Sequence, residues 1–281
     1  MSLKKLPEIK AERLPKICAF EPDPDALDKW NAGVKAVQSG DNTITVLDVI
    51  GEDPWTGGGV TSKRVAAALR AIGDREIYVD INSPGGDFFE GVAIYEMLRN
   101  HPAKVTVRIL GLAASAASII AMAGDEIQIG KASAMMVHRV SVLAIGNRND
   151  FLSAVETMDK FDEGMAALYA ARTGVDHDEA VGWIDRETWF NGEQAVNAGL
   201  ADSFLPADVV EEDEAKAENA RSVNATRRVD ALLAKAGISR NERRSLIGEV
   251  KGGTHDAAAT ATHDAGELKA SLSRLVETLK L

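Results

Sequence analysis

Several features common in other protein classes are absent from this sequence. The 281 residues include a single cysteine, Cys18, so no disulfide bond can form within the chain. That is typical of a protein in a reducing compartment. The longest apolar run, residues 109–124, is rich in alanine and serine and too short to cross a bilayer. The first 16 residues lack an apolar core, so we expect no signal peptide, no membrane contact and a cytoplasmic location.

Positive charge is also in short supply. The chain has 32 Lys and Arg residues against 43 Asp and Glu residues, and its formal net charge is −11. Binding to phosphates requires a basic face, so the sequence argues against a nucleic-acid partner. Five arginines do cluster towards the end of the chain, and we interpret them as the solvated face of a helix. They are Arg227, Arg228, Arg240, Arg243 and Arg244.

Regular structure is predicted from residue 44 onwards. The apolar periodicity predicts strands at 44–51, 76–82, 104–111, 126–130 and 134–140, and helices at 60–73, 88–100, 113–124, 148–173 and 193–198. Strands and helices that alternate at this short spacing favour an α/β domain with much parallel sheet. We place this domain at residues 44–206.

Two extensions flank the predicted domain. Residues 1–43 contain four prolines and form an N-terminal extension. After Pro206 the composition changes, and residues 207–281 are predicted to form a C-terminal extension that adds little to any active site. Its predicted parts are a charged linker at 209–228, two short helices around Gly237, a disordered low-complexity run at 252–266 and an amphipathic helix at 266–281.

Ser115, in the segment GLAASAAS, is a candidate nucleophile. A turn at Gly111 would end the preceding strand and place Ser115 in the first turn of a helix. Unpaired N–H groups and the positive end of the helix dipole favour developing negative charge there. Small neighbouring residues would let a peptide backbone approach closely. Taken alone, a serine in such an alanine-rich helix is more typical of an ordinary small residue in a tight helix contact.

Other groups could complete a catalytic site around this serine. The segment NSPGG (82–86) lies between a strand and a helix, where a backbone N–H could complete an oxyanion hole or belong to a plain turn. His138, in an apolar strand, is the best-placed base of five histidines, although a satisfied core histidine is an alternative. Asp185 or Glu187 could orient its imidazole, and chemistry alone singles out neither.

Together these segments resemble the ClpP family of serine peptidases. INSPGG, GLAASA, MMVHRV and EQAVNAGLAD occur in that family's order and at nearly its spacing, over residues 44–205. The resemblance implies a ClpP/crotonase-like fold of repeated ββα units, with Ser115 as nucleophile and His138 as base. The N–H groups of Gly86 and Ala116 would be the oxyanion donors, and no cofactor or metal is expected. The position of the family's catalytic aspartate falls on Glu187, with Asp185 as the reserve.

The resemblance also implies an assembly and a subgroup. The family forms stacked homo-oligomeric rings, and the helix at 148–173 would be the element through which two rings meet. The segment ETWF (187–190) and the long C-terminal extension resemble the ClpP-related head maturation proteases of tailed phages and prophages more than housekeeping ClpP. That subgroup implies scaffold and capsid proteins as substrates, inside assembling proheads in the bacterial host cytoplasm.

Three alternatives remain open at the level of sequence. The chain could be a housekeeping ClpP subunit that works with an unfoldase. It could be an acyl-CoA enzyme, which would share the crotonase fold, although a Ser–His pair at these positions argues against that. Finally, it could be a capsid-assembly scaffold whose peptidase domain is catalytically dead.

Overall fold

The computed structural model describes residues 17–19, 22–144, 146–206 and 208–259. The strands are β1 Ile17–Ala19, β2 Val34–Ala36, β3 Thr43–Val46, β4 Ile77–Ser83, β5 Val105–Ala114, β6 Glu126–Ile129, β7 Ala134–Val137, β8 Leu143–Ala144, β9 Thr188–Asn191, β10 Ser203–Phe204 and β11 Val210–Glu212. The helices are α1 Pro24–Lys29, α2 Ser62–Ile72, α3 Phe88–Arg99, α4 Ala116–Ala121, α5 Arg148–Thr173, α6 His177–Asp185, α7 Gly192–Asn197, α8 Glu214–Lys235 and α9 Arg240–Ala259. Across these described ranges, no helix combines the length and apolar character needed to cross a membrane.

A parallel sheet forms the centre of the molecule, in the order β10-β6-β5-β4-β3. The middle strands β4 and β5 are buried along nearly their whole length because helices cover the sheet. Strands buried on both faces are near-continuous apolar runs, and β5 has the sequence VTVRILGLAA. The predicted α/β domain with a parallel sheet is therefore confirmed.

Strand β5 takes part in two layers, and this arrangement positions the candidate site. Its first half, Thr106–Ile109, pairs with β6, whereas its last residues, Leu112–Ala114, pair with β7 in parallel. β7 in turn pairs with β9 in antiparallel fashion. Parallel strands end at the same edge of a sheet, so the residues that follow β5 and β7 lie side by side.

The element boundaries differ from prediction mainly around Gly111. The predicted turn there is wrong, because β5 runs straight through it to Ala114 and the following helix is only Ala116–Ala121. A Cβ atom at position 111 would lie 2.7 Å from Oδ1 of Asn82. Glycine at this position therefore serves a close approach between strands rather than a turn. By contrast, α5 has the predicted bounds, 148–173.

The largest correction concerns the region after Pro206. The predicted charged linker at 209–228 is mostly helical, because α8 spans Glu214–Lys235. Its alanines, glutamates and arginines have high helix propensity, and Asp213 caps its first turn through a bond to Lys216 N. Helix α9 extends to Ala259 and so enters the run at 252–266 that was predicted to be disordered. The predicted amphipathic helix at 266–281 lies outside the described residues.

Helix α8 packs against the N-terminal extension and the domain. It contacts α1, and β11 pairs with β2. Nη2 of Arg227 donates hydrogen bonds to Asp48 (2.8 Å) and Asp53 (2.7 Å), and Arg243 Nε donates one to Asp230 (2.7 Å). Arg227 and Arg243 are buried, so the interpretation of this arginine cluster as a wholly solvated face is wrong. We call α1, β2, β11, α8 and α9 the flanking layer.

Candidate active site

The backbone of Ser115 is held in an unusual conformation. Ser115 is the residue between β5 and α4, with φ of 54° and ψ of −124°. Left-handed φ values are costly for residues other than glycine, and they persist where the surrounding structure enforces them. Here the Ser115 N–H donates to Met136 O (2.9 Å), and the carbonyl accepts from Ser118 N (2.9 Å). This sharp strand-to-helix turn leaves the Ser115 hydroxyl partly exposed, at the end of the sheet.

His138 lies directly beside this hydroxyl. It is the first residue after β7, and its Nε2 is 2.7 Å from Ser115 Oγ. The distance follows from the sheet, because Ala114 and Met136 are register partners in β5 and β7. Both side chains line one cleft, where a substrate group could reach them. The arrangement can transfer the serine proton to the imidazole.

Ser118 supports Ser115 instead of competing with it. Its side chain is fully buried, as expected for a residue one helical turn further in. Its Oγ donates to Ser115 O (2.6 Å) and is 2.8 Å from the hydroxyl of Tyr169. The hydroxyl of Ser118 is therefore engaged on both sides and cannot reach a substrate.

Two residues with free backbone N–H groups line the same cleft. Gly86 and Ala116 both line it, and within the described residues neither N–H donates a hydrogen bond. The preceding Gly85 has φ of 87°, and a Cβ atom there would lie 2.6 Å from Ala114 O and 2.7 Å from Ser115 Cβ. Only glycine allows the two segments to approach so closely. Free donors beside an activated hydroxyl can bind a developing oxyanion.

Burial and nearby charges both act on the imidazole of His138. Burial is the largest influence and lowers its pKa below the ordinary value, while the charges of Asp23 and Glu187 oppose that shift. The charge of Lys235 lowers the pKa further. Because burial prevails, His138 is mainly neutral at neutral pH, which is the state that a general base requires.

The two predicted acids differ in their surroundings. Val137 and Thr188 are register partners in β7 and β9, so Glu187 lies opposite His138 just beyond the paired strands. Glu187 has φ of 50°, so it is a second non-glycine residue in the left-handed region. In the part of the chain that the structure describes, no hydrogen bond joins Nδ1 of His138 to a carboxylate.

Asp185 is engaged by a different side chain. It is half exposed and forms an ion pair with Arg139, whose hydrogen bond holds the pKa of Asp185 below its ordinary value. Arg139 also donates to Asp162 (2.7 Å), which accepts from Val140 N (2.9 Å) as well. The structure therefore brings Glu187, more than Asp185, to the His138 side of the cleft.

Two charged residues near His138 were missed in the sequence. Asp23 comes from the N-terminal extension, and Lys235 comes from the C-terminal extension, which was expected to contribute little. The pair Asp23-Pro24 is a helix-start signature, since aspartate caps helices and proline is favoured at the first position. That signature could have predicted α1. No pattern in the sequence places either residue close to a histidine more than 90 positions away.

Comparison with known proteins identifies the family of the chain. The pattern of the family described as Clp protease matches residues 61–208, more than half of the chain. The chain belongs to the Clp protease family, a family of serine peptidases. The predicted resemblance and the ClpP-like fold are therefore confirmed at the level of the family. The matched segment contains Ser115, His138 and Glu187 and excludes nearly all of the flanking layer.

Individual relatives are similar to the central part of the chain. The ATP-dependent Clp protease proteolytic subunit 2 of Corynebacterium efficiens is 33% identical over 136 residues, 47% of this chain and 67% of that protein. Proteolytic subunit 3 of Streptomyces avermitilis is 31% identical over 138 residues, 47% of this chain and 62% of that protein. The chain thus spans about two thirds of the length of these relatives. A ClpP1 mutant from Listeria monocytogenes has a TM-score of 0.49 and 20% identity, covering 63% of this chain and 95% of that one.

Proposed function

We propose that this chain is a serine endopeptidase in which Ser115 is the nucleophile and His138 the general base. The observation that carries the proposal is the 2.7 Å contact between Ser115 Oγ and His138 Nε2. A serine hydroxyl is a weak nucleophile unless an adjacent base takes its proton. Membership of a serine peptidase family supports the same assignment.

The proposed reaction proceeds through an acyl-enzyme. Ser115 Oγ attacks the scissile carbonyl carbon while its proton passes to His138 Nε2, and the N–H groups of Gly86 and Ala116 bind the carbonyl oxygen as it becomes negative. The C–N bond then breaks, and the imidazolium returns the proton to the leaving amine. Water, activated by the same histidine, hydrolyses the ester and restores Ser115. Glu187 is the proposed third member, with Asp185 as the reserve.

A reagent that reacts only with an assembled site tests this proposal directly. A fluorophosphonate probe should label Ser115, as mapped by peptide mass spectrometry, and Ser115→Ala should lose both labelling and peptide hydrolysis. The control is Ser118→Ala, which should still be labelled at Ser115. Labelling that persists in Ser115→Ala would contradict the assignment. An unlabelled but folded wild-type chain would instead support the catalytically dead scaffold.

The proposed enzyme is a ring-forming homo-oligomer. The first half of α5 exposes three large apolar side chains, Phe151, Leu152 and Val155, with 49%, 47% and 48% of their surfaces accessible. A contiguous apolar patch on a helix supports burial against another subunit. Replacing Phe151 and Leu152 by serine should therefore weaken assembly, as measured by light scattering. A fully active wild-type monomer would contradict this part of the proposal.

For the biological role we propose head maturation in a phage or prophage, with scaffold and capsid proteins as substrates. Support comes from the ETWF wording at 187–190 and from a flanking layer that lies mostly outside the family match. The competing role is that of a housekeeping subunit, which the names of the curated relatives favour.

Dependence on ATP separates these two roles. The purified chain should process a co-assembled capsid and scaffold mixture without ATP and without an unfoldase, as followed by gel electrophoresis. If protein cleavage requires a Clp unfoldase and ATP while small peptides are cut without them, the housekeeping role is correct and head maturation is wrong.

A further inference from the structure

Asp23 is a buried carboxylate with a fixed position. It is 8% exposed and caps α1, where its Oδ1 accepts hydrogen bonds from Asp25 N (2.8 Å) and Ala26 N (3.2 Å). Its Oδ2 accepts a hydrogen bond from Nζ of Lys235 in α8 (3.2 Å). These three hydrogen-bond partners, from α1 and α8, leave the side chain little freedom, and buried charges of this kind are kept where they are paired.

Its location is on the acid side of the candidate site. One carboxylate oxygen of Asp23 lies within 4.8 Å of a carboxylate oxygen of Glu187, which is opposite His138 across β7 and β9. Helix α1 is anchored there by Trp30, which packs in one apolar cluster with Met136 and donates from Nε1 to Asn82 O (3.1 Å). The N-terminal extension therefore contributes a charge beside the catalytic pair.

We propose that Asp23 is a positioning residue for His138, and that it shares with Glu187 the task of stabilising the imidazolium formed during turnover. Lys235 holds the Asp23 carboxylate in place and moderates its effect. This inference rests on the proposed peptidase function and deepens it. The charges around the site then come from both the family-matched domain and the flanking layer.

The ionisation state of Asp23 fits this role. Burial by itself would raise its pKa, but the hydrogen bond from Ala26 N and the positive charge of Lys235 outweigh burial and hold the pKa below its ordinary value. The carboxylate therefore stays negative at neutral pH. The charged groups acting on His138 are Asp23 from α1, Glu187 next to β9, Lys235 from α8 and Asp162 from α5. Asp162 is already occupied by Arg139 and Val140 N.

Asp23 and Lys235 carry opposite charges, so removing each charge should shift the pKa of His138 in the opposite direction. Loss of the negative charge in Asp23→Asn removes an influence that raises the pKa of His138, so that pKa should fall. Loss of the positive charge in Lys235→Met should make it rise. A purely structural role for these residues would not shift the pKa in two opposite directions. Asparagine is as good a helix cap as aspartate, so Asp23→Asn should keep α1 folded.

The experiment uses the full chain and two readouts. NMR titration of the His138 ring in a Ser115→Ala background gives its pKa without any need for activity. The pH dependence of kcat/KM on a small peptide gives the catalytic consequence in the active chain. Asp25→Asn is the matched control, because this exposed neighbour lies in the same carboxylate cluster but is not among the groups that act on His138.

We expect Asp23→Asn to lower the pKa of His138 and to reduce kcat on the order of 10-fold, since Glu187 keeps its charge. Lys235→Met should raise that pKa, and Asp25→Asn should leave both quantities unchanged. The inference is overturned if Asp23→Asn leaves the pKa unchanged, or if Asp25→Asn shifts it equally. Should Asp23→Asn misfold, Asp23→Ser, which also keeps a good helix cap, replaces it, and an unchanged pKa of His138 in that variant overturns the inference as well. If the pKa of His138 shifts as expected but the wild-type chain never reacts at Ser115, the inference about Asp23 stands and only the proposed peptidase function is refuted.

Discussion

The two sides of the Ser115–His138 pair are built in different ways. On the nucleophile side, the geometry is set by the backbone, through the ends of β5 and β7 and the left-handed residues Ser115 and Gly85. On the acid side, it is set by packing and charge, through α1 and α8 of the flanking layer. Two of the ion pairs there, Arg227 with Asp53 and Lys235 with Asp23, join residues 174 and 212 positions apart.

The reactive pair and some of the charges that act on it therefore belong to different parts of the chain. The nucleophile side lies wholly within the segment that matches the family. The acid side depends in part on elements outside that segment, which can vary without disturbing the serine. We therefore expect changes on the two sides to have separable consequences: damage to the nucleophile side removes turnover, whereas damage to the flanking layer alters pH dependence or stability.

The largest effect is expected where the two sides meet, at Glu187. Glu187→Gln should lower kcat by about 10²–10⁴-fold with a smaller change in KM if Glu187 is the proposed third member, because a carboxylate in that role orients the imidazole and stabilises its charged form. Steady-state kinetics on a peptide substrate measures this change. Asp185→Asn, which breaks only the surface pair with Arg139, is the control. A larger loss in Asp185→Asn would show that the reserve acid is the true third member.

A second substitution tests the nucleophile side alone. Gly85→Ala should reduce kcat/KM by about 10²-fold, because the new methyl group would displace Ser115 or Ala114 from the productive geometry. Gly57→Ala is the matched control, since Gly57 also has a positive φ, 70°, but faces open space. Equal losses in the two variants would mean that backbone strain in general, and not the contact with Ser115, accounts for the effect.

The flanking layer should affect stability more than chemistry. Arg227→Met leaves the buried carboxylate of Asp53 without its main partner, and breaking a buried pair in this way costs about 3–5 kcal/mol. Urea denaturation should show this loss as a lower free energy of unfolding. Arg228→Met is the control, because Arg228 pairs with Asp28 at the exposed surface. A stable Arg227→Met chain would restore the earlier expectation that the region after Pro206 is a mere appendage.

The sequence alone predicted the core of the molecule better than its edges. The strands β4 and β5 are near-continuous apolar runs, and the long helix α5 has no internal proline, so their positions were recognisable. Helix α8 was mistaken for a linker because most of what it buries is alanine or polar, and Leu233 is its one large apolar side chain in the core. For an arginine such as Arg227, burial depends on a partner 174 positions away, which local pattern cannot reveal.

The same limit applies to the candidate site. Ser115, His138 and the glycine pair lie in short motifs whose order was informative. The strained backbone of Ser115 was not predictable, because the strand was expected to end at Gly111, three residues earlier than it does. Asp23 and Lys235 carry no motif in common. Their relation to His138 exists only after both extensions have folded onto the domain.

The link between Asp23 and Lys235 also has a consequence for the order of events during synthesis. The ribosome makes Lys235 last of this group, 212 residues after its partner, when the strands bearing Ser115 and His138 have long since emerged. Contacts of such long range form late in folding. A nascent chain can therefore assemble its serine and histidine before the charges around them are complete. On this view, docking of α8 is the step at which a newly made subunit acquires its mature pH response, after translation has passed that helix.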